Sequence, residues 1–60
     1  MNLTQLELQN LRHLIGAHET AHNKLSCYAQ QCQDPEIKQM FQQSADEANN
    51  TKQKLMTYLG

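Results

Sequence analysis

The sequence predicts an all-α fold: an antiparallel two-helix hairpin that pairs with a second copy to make a four-helix bundle. Three observations carry that expectation. Apolar side chains recur at alternating spacings of three and four along most of the chain. The one strong break, Asp34-Pro35, falls just past the middle. The 60 residues include only two Gly and one Pro, whereas a sheet protein needs turn residues every ~8–12 positions. The chain therefore reads as one unit over 1–60, with helices over 5–32 and 35–59 and a corner at 33–34.

The first helix has a complete start signature. In Leu3-Thr4-Gln5-Leu6-Glu7-Leu8, Thr4 stands as N-cap and Glu7, three residues on, closes a capping box. Leu3 and Leu8 are placed for a hydrophobic staple. Only Gly16 interrupts the pattern before the corner, at a cost of about 1 kcal/mol that one long helix absorbs. Asp34 is a good N-cap for the second helix, and Pro35 suits its first position, where a missing N–H costs nothing. Glu36 complements the positive end of the helix dipole, and Gly60 is the expected stop.

Periodicity then assigns the faces. In the first helix Leu11, Leu14, His18, Ala21, Leu25, Tyr28 and Cys32 form a heptad seam, flanked by Leu8, Ile15, His22 and Ala29. In the second the seam is Ile37, Phe41, Ser44, Ala48, Thr51, Leu55 and Tyr58, flanked by Met40, Ala45 and Leu59. Stripes this wide suit helices with more than one neighbour, and a hairpin supplies each with only one. A chain of this length also buries only about 60% of its unfolded surface. A homodimer closing a four-helix bundle is the expected partner arrangement.

Charge and hydropathy exclude other classes. Five basic and six acidic residues give a net charge of −1, with no basic stripe to neutralise phosphates, so nucleic acid is not an expected partner. No apolar run approaches the ~20 residues of a membrane span, and no basic–apolar–small leader opens the sequence. These features predict a chain made in the cytoplasm. Much of the polarity comes from nine Gln and five Asn, set between the periodic apolar positions as on a solvated helix face. Cys27 and Cys32 are too far apart around one helix to bridge each other, and a reducing compartment keeps both as thiols.

The chemistry-bearing residues fall in a thin central layer: His18, Ala21 and His22 opposite Ser44, Ala45, Ala48 and Thr51. Folding about the corner sets His18 level with Asn50 and Thr51, and His22 level with Asp46 and Glu47. His18-Glu19-Thr20-Ala21-His22 matches the H-E-x-x-H pattern of zinc proteases. Two helices, however, offer neither a third ligand nor a substrate cleft. Glu19-x-x-His22 is also the i, i+3 unit of di-metal carboxylate bundles, and Glu47 falls near the same level. A symmetric pair of chains doubles Glu19, His22 and Glu47 into the ligand inventory of such a centre. That alternative would hold iron, manganese or zinc and handle iron, oxygen or peroxide. His18 is the alternative ligand, joining His22 and their symmetry mates around one ion. The reading without a cofactor makes both imidazoles core polar groups bonded to Ser44, Thr51, Asn50, Asp46 or water, fixing register and partner number.

The segments Glu7-Leu8-Gln9-Asn10-Leu11-Arg12-His13-Leu14-Ile15-Gly16, Tyr28-Ala29 and Asp34-Pro35-Glu36-Ile37-Lys38-Gln39-Met40-Phe41 resemble the short relatives of spore coat protein F. Those proteins are themselves similar to the ferritin-like superfamily. The resemblance runs from Leu6 to Leu59. It implies half of a ferritin-like bundle, a non-enzymatic structural role in a bacterial spore coat, and other coat or assembly proteins as partners. Asn50 stands where the ferritin-like pattern expects a second His, which favours a metal-free structural member.

Overall fold

The computed structural model describes residues 3–59. Two α-helices fold back on each other, α1 over Gln5–Gln31 and α2 over Pro35–Met56, followed by a single 3₁₀ turn at Thr57–Leu59. No strand occurs among the described residues. The hairpin is a rod of 46 × 14 × 11 Å. Its radius of gyration is 14.1 Å, against about 10 Å for a compact domain of this length.

Each helix begins where its capping chemistry dictates. Glu7 N–H donates to Thr4 Oγ1 at 3.1 Å, and Thr4 N–H donates back to Glu7 Oε1 at 3.0 Å. Two of the four orphan donors of α1 are satisfied in this way. At the corner, Asp34 Oδ1 accepts from Glu36 N–H at 2.9 Å and from Ile37 N–H at 3.1 Å.

The helix ends differ slightly from the sequence expectation, for local reasons. Cys32 is the C-cap of α1 rather than its last residue; its φ of −72° and ψ of 135° are extended. Asp34, directly before Pro35, is extended too, at φ −75° and ψ 122°. A residue preceding proline is driven from the helical region by the pyrrolidine ring. At the other end, Thr57 Oγ1 donates to the Lys54 carbonyl at 2.6 Å and its N–H reaches the Leu55 and Lys54 carbonyls. These short-range bonds tighten the last turn into 3₁₀ geometry. Gly60, the expected stop, lies outside the described residues.

Packing fixes a different roll of each helix from the one the seam assignment suggests. The less exposed line of α1 is Leu8, Leu11, Ile15, His18, His22, Leu25, Ala29 and Cys32, and that of α2 is Phe41, Ala45, Ala48, Lys52 and Leu55. Both lines keep the three–four spacing. The fully buried residues among those described are Ala29 and Ala45, 1% and 2% exposed. Small side chains let the two backbones approach there. Tyr28 packs beside Phe41 with ring centroids 5.7 Å apart and planes inclined by 60°, a tilted aromatic arrangement.

This roll leaves the two edges of the hairpin unlike each other. With the packed lines as heptad positions a and d, Leu14, Ala21 and Tyr28 occupy g in α1, and Ile37, Ser44, Thr51 and Tyr58 occupy g in α2. In an antiparallel pair the two g rows share one edge and the two e rows share the other. A groove lined by Leu3, Glu7, Leu11, Leu14, Leu55 and Tyr58 joins the g rows. One lined by Ser26, Gln30, Gln42 and Asp46 joins the e rows.

Candidate functional site

The central layer is where α1 places its two inward histidines. His18 and His22 are one turn apart and both half-buried. His18 Nδ1 lies 2.8 Å from the carbonyl oxygen of Leu14 on its own helix. His22 Nδ1 lies 2.8 Å from the carbonyl oxygen of Ala45, across the hairpin. A carbonyl oxygen only accepts, so each Nδ1 carries the proton and donates. His22 thus ties α1 to α2 at the level where Ala45 lets them approach.

Glu19 stands beside this layer on the e edge. Lys52 Nζ donates to Glu19 Oε2 in an ion pair between the helices. The Lys52 hydrogen bond first, and its charge second, hold the Glu19 carboxyl below the usual carboxylate range. Lys52 is mostly covered, with 18% of its side chain exposed, while Glu19 is 47% exposed. A pair this open to water contributes little net stability; it links the two helices at this level.

One chain does not bring Glu19, His22 and Glu47 together. Glu19 turns to Lys52, His22 to the Ala45 carbonyl, and Glu47 is exposed on the flank of α2. Among the described residues no three His, Cys, Asp or Glu side chains form a group able to hold a metal ion. His13 lies on the outer, exposed surface. Both cysteines are free thiols, Cys27 exposed and Cys32 half-buried. No described helix is long and apolar enough to cross a membrane.

The second candidate site is the g edge itself. Leu14 is 47% exposed, Tyr28 48%, Ile37 46% and Tyr58 40%, and Met40, which flanks the row, is 64% exposed. These side chains run the length of the rod on one edge. Between them, at mid-length, lie only Ala21, Ser44 and Thr51.

No protein-family model, curated protein or solved structure matches the chain.

Sequence reasoning placed the histidines in the right layer but missed their partners. It offered Ser44, Thr51, Asn50 and Asp46 as acceptors, and the acceptors are main-chain carbonyls of Leu14 and Ala45. It also missed the Lys52–Glu19 pair. The available signal was the second line through Leu8, Ile15, His22 and Ala29, which lies on the packed face of α1.

Proposed function

We propose that the chain is a non-enzymatic structural protein that pairs through its g edge with a second copy, completing a four-helix bundle used as a unit of a larger assembly. The observation that carries this reading is the mismatch between what the hairpin covers and what it leaves open. Its fully buried described residues are two alanines, while Leu14, Tyr28, Ile37, Met40 and Tyr58 stand 40–64% exposed along one edge. Large apolar side chains exposed at both ends of one edge, on so small a body, mark an interaction surface. A stable interface takes about 800 Å² from each partner, about one-sixth of the 4872 Å² that this chain exposes. One long edge of a rod is enough to supply that area.

Resemblance to the short relatives of spore coat protein F supports a ferritin-like arrangement of the paired hairpins and a place in the spore coat. The di-metal alternative would draw Glu19, His22 and Glu47 from two chains, and within one chain Glu19 is already paired with Lys52.

Sedimentation equilibrium of the parent and of a Tyr28→Glu, Ile37→Glu variant tests the pairing. The expected result is a parent particle of twice the chain mass, and a variant that sediments as a single chain. A folded parent that remains a single chain at the highest accessible concentration would overturn the reading.

A further inference from the structure

We propose that His18 and His22 form a two-imidazole seat for a divalent transition-metal ion of the zinc, nickel and copper class. Four-residue spacing sets the two rings one above the other on one face of α1. Both rings are held in the same tautomer, because each Nδ1–H is donated to a carbonyl oxygen at 2.8 Å. In the neutral ring this tautomer leaves the Nε2 lone pair free to bind an ion. Neither Nε2 has a hydrogen-bond partner among the described residues, and neither is sealed from solvent.

Three properties of this arrangement match what imidazole ligands need. A metal-bound histidine almost always donates its other ring N–H to a carbonyl or carboxylate, which orients the ring and raises its basicity. Here that support exists for both rings before any ion arrives. Neutral imidazole suits zinc, nickel and copper, rather than magnesium or calcium, which select oxygen donors. Lys52, on the packed line of α2, is already neutralised by Glu19, so no uncompensated positive charge from that pair opposes a dication. The remaining coordination positions are left to water, and the seat does not depend on pairing of chains. It also differs from the Glu19, His22 and Glu47 centre, since no carboxylate takes part.

The test is a titration of Ni²⁺ into a Cys27→Ser, Cys32→Ser background, which removes the competing thiols. Heat and imidazole ¹⁵N shifts are followed together, with sedimentation run in parallel so that metal binding and chain pairing are read separately. Saturable binding is expected, with Nε2 of both rings perturbed and Nδ1 still protonated. His18→Gln and His22→Gln are each expected to weaken binding by at least about tenfold, the scale on which even supporting outer-shell groups register. His13→Gln should titrate like its parent. Since His22→Gln also removes the bond to Ala45, His18→Gln, whose lost bond lies within α1, decides the matter if the His22 variant unfolds. Binding that His18→Gln leaves unchanged, or no saturable binding at all, overturns the proposal.

Discussion

Single side chains at the helix starts carry more of this fold than their exposure suggests. Thr4→Ala removes the acceptor for Glu7 N–H, and about 1 kcal/mol of stability should be lost with it, measurable as a lowered urea midpoint. The same cap has a pH signature. The Glu7 carboxyl is held below the usual carboxylate range, first by the Thr4 backbone N–H and then by the Thr4 side chain. A carboxyl depressed in the folded state contributes stability that is present above its unfolded pKa and disappears as pH falls through the folded value. Protection factors of the amides in the first turn of α1, taken against intrinsic exchange at each pH, should therefore fall in acid, below the ordinary titration range of Glu, and the Glu7→Gln chain should show less of this change. Gly16 offers the opposite opportunity. A Cβ built there meets no atom within 4 Å, and the position lies inside α1. Gly16→Ala should raise stability by about 1 kcal/mol, read from the thermal midpoint.

Between the helices, the decisive feature is the pair of alanines. Ala29 and Ala45 are 1% and 2% exposed, so there is no room for a larger side chain without moving a backbone. Ala45→Leu should cost about 1–3 kcal/mol by overpacking, and it should also weaken the His22 bond to the Ala45 carbonyl. Loss of exchange protection at the His22 Nδ1 proton would report the second effect. This closeness is also where the sequence was least legible. The helices, their starts and the corner could be read directly, because Thr4, Glu7, Asp34 and Pro35 act through local chemistry. The roll of each helix could not, because two overlapping three–four registers were equally apolar. The register with Leu14 and Tyr28 carries the larger side chains, and the seam assignment followed it. The hairpin instead packs on the register with Ala29 and Ala45, where small size permits close approach, and leaves the larger side chains at its edge. The site was partly legible for the same reason. His18 and His22 lie on the half-buried lines in either register, but their main-chain acceptors depend on which backbones come close.

At the scale of the whole molecule, stability and association are expected to be linked. If two chains pair through the g edge, the folded state is favoured by mass action, and the thermal midpoint rises with protein concentration. A midpoint unchanged over a wide concentration range would count against pairing as a source of stability. The contrast between the two edges has a further consequence for how such a unit can be used. Of the large apolar side chains exposed among the described residues, Leu14, Tyr28, Ile37, Met40 and Tyr58 lie along one edge, while the opposite edge presents Ser26, Gln30, Gln42 and Asp46, with Met56 near its open end and Leu6 on the outer face. If the g edge is the main adhesive side, the body has a valence close to one: it would saturate at a couple sooner than polymerise. The couple would then be an inert brick, and any lattice built from it would need its mortar from some other molecule.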